Sequence, residues 1–194
     1  MDPERLTLAC ATALEQEAGE RAGLATSLVG LRGVNGLPQG RLVSFGLAGA
    51  LREDLPCGTV LDGVRVVDPD GRVLWQGEPL GIPDAVLATI LAAPEVVDDP
   101  AERRRLAEAT GADAVDLESG PIAETGRLAG CLRVVSDTPA RGLSGICSAV
   151  KPEGPVSWTG LAVGFARSPL GFTRAAADGK RALRVLHRAA EALA

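Results

Sequence analysis

The chain has 194 residues, 46% of them hydrophobic, enough to bury one core of ordinary size. Its 20 basic and 25 acidic residues give a net charge of −5, and no basic patch interleaves with aromatics, which argues against nucleic acid as a partner. One histidine, His187, and four scattered cysteines (Cys10, Cys57, Cys131, Cys147) offer no metal spacing, no apolar run nears the ~20 residues of a membrane span, and no signal-peptide pattern opens the chain; a cytoplasmic protein without metal or cofactor is expected.

Apolar strand-like runs alternate with helical segments, the pattern of an α/β fold. Aromatics are 3% and Tyr is absent, so Leu, Val, Ala and Ile must build the core, with Cys10 and Cys131 as buried thiols. Leu6 to Ala13 reads as a buried strand, Glu15 to Leu24 as a charged, Ala-rich helix, and Thr26 to Leu31 as a second strand. Leu42 to Phe45 is a third strand, ending in the glycine-rich Gly46-Leu-Ala-Gly49. Thr59 to Val67 and Arg72 to Trp75 flank Asp68-Pro-Asp-Gly71, a hairpin turn in which Pro fixes φ and Gly takes the positive-φ position. Ala85 to Leu91 reads as a strand, with a helix as the alternative.

Asp99-Pro-Ala-Glu102 opens a helix with an acidic cap and Pro in its first turn, and Gly111 ends it. Its Arg103, Arg104 and Arg105 read as a solvated face. Ala114 to Leu117 and Cys131 to Val135 are two further strands. Residues 138 to 157, rich in Gly, Pro and Ser, read as a loop or lid. From Trp158 a short helix and then a longer one follow, and His187 on the latter reads as a surface residue beside Arg184 and Arg188. No internal repeat or linker appears, so residues 1 to 194 are expected to form a single domain with a central mixed, twisted sheet flanked by helices.

Asp116, Glu118, Arg133, Ser136 and Asp137 stand near the ends of two strands only about one helix apart. Polar residues at the carboxyl ends of neighbouring parallel strands converge on the crevice where open α/β sheets bind ligands. Glycines at Gly46 and Gly49 let a ligand approach the backbone. Glu15 and Glu17 follow the first strand, where a helix N-terminus favours carboxylates in any case. An Asp at a strand end carries a proton if burial raises its pKa.

Ala13-Leu-Glu-Gln-Glu17, Gly46-Leu-Ala-Gly-Ala50, Leu55-Pro-Cys-Gly-Thr-Val60, Val115-Asp-Leu-Glu118 and Arg133-Val-Val-Ser-Asp137 resemble, in order, the motifs of the nucleoside phosphorylase and nucleosidase superfamily. That family carries an Ala-Met-Glu-Glu-Glu-like start, a Gly-Ser-Ala-Gly-Gly-like loop, a Leu-x-x-Gly-Asp-Val-Val strand, a Val-x-Met-Glu ribose motif and an Arg-x-x-Ser-Asp motif. Leu42-Val-Ser-Phe-Gly-Leu-Ala-Gly49, Val67-Asp-Pro-Asp-Gly-Arg-Val-Leu-Trp75 and Thr110-Gly-Ala-Asp-Ala-Val-Asp-Leu-Glu-Ser119 look most like the hopanoid-associated phosphorylases.

The resemblance implies an enzyme that splits the N-glycosidic bond of a purine nucleoside, here by phosphorolysis of an adenosine linked to a hopanoid, with inorganic phosphate as co-substrate. It implies Asp137 as the acid that protonates the purine, Arg133 and Ser136 as its orienters, and Glu118 as acceptor for both ribose hydroxyls. Leu117 and Asp116, and Gly46, Leu47, Ala48 and Gly49, would line sugar and base, with Val96 and Val97 as a wall. Subunit pairing into a homo-oligomer is also implied. Leu143, Ile146, Trp158, Leu161, Phe165 and Phe172 are candidates for a hydrocarbon channel, a core or an interface. Two departures stand out. Only Gly30 to Gly40 separates the second and third strands, too short for a crossover helix, and Leu47 replaces a common serine. Gly30 and Arg32 are then the candidate phosphate ligands. The alternatives are a purine nucleosidase of the methylthioadenosine or futalosine type, with Glu17 positioning water, and a nucleoside-binding protein that has lost catalysis.

Overall fold

Strand β1 (Thr7–Cys10) is a short, largely buried run that turns directly into helix α1 (Ala13–Arg21). Thr12 makes the turn. Its hydroxyl accepts from the Glu15 N–H while the Glu15 carboxylate accepts from the Thr12 N–H, so two donors orphaned at the helix start are satisfied together. The first strand therefore ends earlier than Ala13, the residue to which hydropathy alone extended it.

The computed structural model describes residues 6–141, 153 and 169–194. The expected lid beyond residue 141, the short helix from Trp158, Leu143, Ile146, Trp158, Leu161 and Phe165, and the Phe172 side chain lie outside the described residues. The remaining strands are β2 (Thr26–Leu28), β3 (Leu42–Ala50), β4 (Val60–Val67), β5 (Val73–Gln76), β6 (Val86–Ala92), β7 (Ala114–Asp116) and β8 (Leu128–Asp137), and the helices are α2 (Pro100–Thr110), α3 (Ser119–Glu124) and α4 (Pro169–Ala190).

The eight strands among the described residues join one mixed sheet. β1 lies parallel to β2 on one side and to β3 on the other, and β3 lies parallel to β8. From β8 the pairing runs antiparallel to β4, parallel to β6, parallel to β7, and antiparallel back to β3. Five strands thus close a ring. β5 hangs on β4 as the expected hairpin, with Gly71 at φ 80° in its turn. Small side chains permit so tight a ring: Ala48, Ala50, Ala88, Ala92 and Ala114 pack in one cluster with Leu61, Ile90, Cys131 and Val135. On the opposite face of β1, β3 and β8, Leu8, Phe45, Leu132 and Val134 pack with Ala18 of α1 and Ala182, Leu186 and Ala190 of α4. α2 covers a third cluster through Leu106, against Leu51, Val67, Leu91 and Val115.

Three expectations are corrected here. Gly46-Leu-Ala-Gly49 is not a loop after a strand but the continuation of β3, because its residues pair with Arg133 to Asp137 of β8. Arg103 is not solvated: it is 1% exposed, while Arg104 and Arg105 are exposed. His187 is half-buried, its Nδ1 3.1 Å from the Ala18 carbonyl, tying α4 to α1. Gly111 ends α2 in the left-handed region and Asp99 caps it, as the sequence indicates. Among the described residues, no helix is long and apolar enough to cross a membrane, and no cluster of His, Cys, Asp and Glu has the form of a metal site.

Candidate active site

Because β1, β3 and β8 run parallel, their carboxyl ends open on the same edge of the sheet. There the chain leaves β1 through Thr12 and Glu15, while β3 passes Gly46 to Gly49 and β8 passes Arg133 to Asp137. β7 arrives from the opposite direction and brings Asp116 and Glu118 to the same level. Two buried charge clusters result.

The first is centred on Arg133, which is fully buried. Its Nη2 meets Asp116 Oδ2 and the Ser44 hydroxyl, and lies 3.4 Å from Glu118 Oε2; its Nη1 donates to the Leu47 carbonyl at 3.4 Å. Ser119 holds Asp116 from the other side, through its backbone N–H at 3.2 Å and its hydroxyl, which also lies 3.1 Å from that of Ser44. Burial opposes the charge on Arg133, but the carboxylates of Asp116, Glu118 and Glu15 outweigh it and hold the guanidinium firmly protonated. Glu118 Oε1 accepts from the Arg32 N–H at 3.3 Å. Burial pushes the Glu118 carboxyl up to about 8; Arg133 pulls it down, and the nearby Asp116 and Glu15 push it up again.

Glu15 completes this cluster. It is 4% exposed, and its Oε1 accepts from the Leu47 N–H at 2.8 Å. Its Oε2 accepts from the Thr12 N–H at 2.8 Å and hydroxyl at 2.9 Å. A carboxylate offers about four acceptor sites, so Oε1 keeps one free. Glu17, the sequence-based candidate, is turned to solvent and paired with Arg21 one turn on. Glu15 therefore replaces Glu17 as the carboxylate of α1 that reaches the crevice.

The second cluster surrounds Asp137, which is 3% exposed. A bulge in β8 brings it there: Val135 pairs with Ala48 and Asp137 with Gly49, so Ser136 is an extra residue and the strand end is re-aimed. Asp137 Oδ2 forms an ion pair with Nη2 of Arg103, and its Oδ1 lies 2.7 Å from the Ser136 hydroxyl. Burial pushes the Asp137 carboxyl above its ordinary range, against the pull of Arg103 and Ser136. Gly49 makes the approach possible, since a Cβ there would stand 2.9 Å from Asp137 Oδ2 and 3.2 Å from Arg103 Nη2.

The other candidates fall in different places. Leu47 and Ala48 contribute backbone: Leu47 bonds Glu15 and Arg133, and the Ala48 carbonyl stands 3.3 Å from the Ser136 hydroxyl. Leu117 packs into the cluster beneath α2, as does Val97, whose carbonyl accepts from Arg103 Nε at 2.8 Å. Val96 is 43% exposed. Gly30 is a left-handed turn residue at φ 73°, and Arg32 reaches Glu118 through its backbone while its side chain is exposed. Sequence reasoning missed Arg103, Ser44, Ser119 and the choice of Glu15. The Thr12-x-x-Glu15 capping pattern is the signal that singles out Glu15.

No protein-family model matches the sequence, and no curated protein matches it. Solved structures do. The futalosine hydrolase of Helicobacter pylori superposes with a TM-score of 0.62 at 12% identity, over 98% of this chain and 97% of that one. The S-adenosylhomocysteine nucleosidase of Streptococcus pyogenes, solved with a methylthiotubercidin ligand, gives 0.60 at 15% identity, over 100% and 99%. The 5′-methylthioadenosine/S-adenosylhomocysteine nucleosidase of Helicobacter pylori gives 0.56 at 13% identity, over 97% and 98%. At such identities the likeness is one of fold: the chain shares the mixed-sheet α/β fold of these solved structures.

Proposed function

We propose that the protein is a purine nucleosidase, an enzyme that hydrolyses the N-glycosidic bond of an adenine nucleoside. The observation that carries this reading is the charge of the crevice. Its two buried guanidiniums, Arg133 and Arg103, are both already paired with carboxylates. Glu15 adds a further negative group, and the exposed Arg32 side chain stands apart from the buried set. A phosphate dianion beside the Asp116 and Glu15 carboxylates would be repelled, and a cation would be stabilised. This favours hydrolysis over the phosphorolysis that the hopanoid-associated resemblance implies. The fold is shared with proteins described as nucleosidases and a futalosine hydrolase, which supports the same choice.

In this mechanism Glu118 accepts hydrogen bonds from the ribose hydroxyls, its two existing contacts being long and leaving acceptor sites open. Asp137 gives its proton to a ring nitrogen of the purine. The bond from base to sugar breaks with its electron pair on the base, which leaves neutral. The sugar develops oxocarbenium character, stabilised by the Asp116 and Glu15 carboxylates, and by Glu118 at pH values where it is ionised. A water on the free site of Glu15 Oε1 attacks the anomeric carbon and loses its proton to that carboxylate. Each turnover consumes one water, and the two carboxyls end with one proton exchanged between them through solvent.

Incubating the protein with adenosine, 5′-methylthioadenosine and futalosine, with and without phosphate, tests the reading. Release of the base at equal rates in both buffers is the expected result. Release only with phosphate would restore phosphorolysis, and binding without release would leave a nucleoside-binding protein. The homo-oligomer implied by the resemblance belongs to the same proposal, and light scattering at micromolar concentration decides it.

A further inference from the structure

Arg103 is one of three successive arginines on α2 and takes no step in the proposed reaction, yet it is the one folded inward. Its guanidinium is held on three separate elements. Nε donates to the Val97 carbonyl at 2.8 Å, Nη1 to the Ala50 carbonyl at 3.2 Å, and Nη2 to Asp137 Oδ2. The planar fork is therefore fixed in orientation, not merely near a carboxylate. Gly49 leaves the space for it, because a Cβ there would crowd both partners.

We propose that Arg103 is a positioning residue for Asp137: it holds the Oδ2 edge of the carboxyl and leaves Oδ1 as the oxygen that carries and hands over the proton. A proton on Oδ2 would face the N–H of the guanidinium, donor against donor. Oδ1 faces the Ser136 hydroxyl at 2.7 Å, and that hydroxyl has a second acceptor in the Ala48 carbonyl at 3.3 Å. The single hydroxyl hydrogen thus points to Oδ1 when Asp137 is ionised and turns to Ala48 when Oδ1 is protonated. Arg103 also opposes burial. Burial favours the neutral acid, the fixed cation favours the carboxylate, and the balance keeps the proton transferable. Other charged or titratable groups face the pair from three sides. Asp98, ahead of α2, lies 4.0 Å from Arg103. Cys57, between β3 and β4, bonds the Ser136 carbonyl through Sγ at 3.4 Å, with Asp178 of α4 and Arg141 beyond it.

This inference rests on the nucleosidase reading for its catalytic consequence but not for its first measurement. The carboxyl ¹³C resonance of Asp137, identified by its loss in Asp137→Asn, is titrated in the wild-type chain, in Arg103→Met and Arg103→Gln, and in Arg103→Lys. A fixed opposite charge lowers a carboxyl pKa by about 1–3 units. The midpoint should rise by that amount in whichever neutral variant retains the fold, and by less in Arg103→Lys. Adenine release is followed against pH in the same proteins. A general acid must be protonated, so its activity is lost as pH rises through its pKa, and removing Arg103 should carry that alkaline limb upward. An unmoved midpoint, with activity lowered evenly at every pH, would make Arg103 a brace for α2 and overturn the inference. A raised midpoint in a protein that releases no adenine would uphold the placement of the proton and remove the nucleosidase reading instead. Failure of both neutral variants to fold passes the decision to Arg103→Lys: an Asp137 midpoint and an alkaline limb that both move upward, by less than the full shift expected of a neutral variant, support the inference, and an unmoved midpoint and limb overturn it.

Discussion

A Cβ on Gly46 would stand 2.7 Å from the carboxyl carbon of Glu15, and 2.8 Å from Nη1 of Arg133, so the missing side chain is the space in which these charged groups approach. Neither group can retreat easily. Glu15 is fixed by Leu47 and Thr12, and Arg133 by Asp116, Ser44 and Leu47. The backbone at Gly46 also has φ 157°, at the edge of what side chains tolerate.

Gly46→Ala should therefore cost stability and activity together. Overpacking of a filled core costs about 1–3 kcal/mol, and here the displaced atoms are charged. Urea unfolding of the two proteins measures the first effect and adenine release the second. A variant with wild-type stability and turnover would mean that Glu15 can move aside without consequence.

Glu15 and Glu17 can be told apart directly. Glu15→Gln should lower turnover about 100- to 10,000-fold, the usual range for a lost general base. Glu17→Gln should leave turnover unchanged and alter stability by less than about 1 kcal/mol, because an exposed ion pair is worth little. Steady-state kinetics of both variants settle the assignment, and a loss confined to Glu17→Gln would reverse it.

The contrast between these two residues also shows how far the sequence can be read. The fold was legible because hydropathy alternates between strand and helix, and because Asp68-Pro-Asp-Gly71, Asp99-Pro100 and Gly111 punctuate it unambiguously. Glu118, Arg133 and Asp137 stood out because each lies in or just after an apolar run, but the sequence could not show that β3 stands between those two strands or that β7 runs against β8. Glu15 required helical phase: it shares the buried face of α1 with Ala18 and Gly19, three and four residues on, whereas Glu17 pairs outward with Arg21. The same phase argument applies to Arg103, which lies three residues before the buried Leu106. Reading the three arginines as one solvated run overlooked it. The extension of β3 through Gly46 to Gly49 was hidden because glycine is a poor strand former. Only the tertiary demand for space beside Glu15, Arg133 and Asp137 explains glycine there.

Glu118 should make stability depend on pH. Burial raises its carboxyl in the folded protein to about 8, so folding favours the protonated form. That contribution is complete below the unfolded-state carboxyl range and disappears as pH rises through about 8. The urea midpoint of the wild type should fall between about pH 5 and about pH 8.5, and Glu118→Gln, whose amide does not titrate, should show a shallower decline. Above about pH 8, where the wild-type carboxyl is ionised, the variant should also bind nucleoside more weakly, by roughly 1.5–3 kcal/mol for each charged hydrogen bond lost. Parallel pH profiles for the two proteins would show that Glu118 stays ionised in the folded state.

Asp137→Asn separates proton donation from a structural role. The amide can offer its oxygen to Arg103 and its N–H to the Ser136 hydroxyl, and it can still hydrogen-bond the base, but it has no acidic proton to give. The loss should therefore appear in kcat, about 100- to 10,000-fold, with substrate affinity little changed. The buried charge on Arg103 loses its counter-ion, so some stability is lost as well, and thermal unfolding measures that part separately. A second substrate isolates the chemistry. A nucleoside whose base leaves without protonation does not need the acid, and its cleavage should be far less sensitive to the substitution. Equal loss on both substrates would mean that Asp137 only orders the end of β8, and no loss on either would place the proton donor elsewhere.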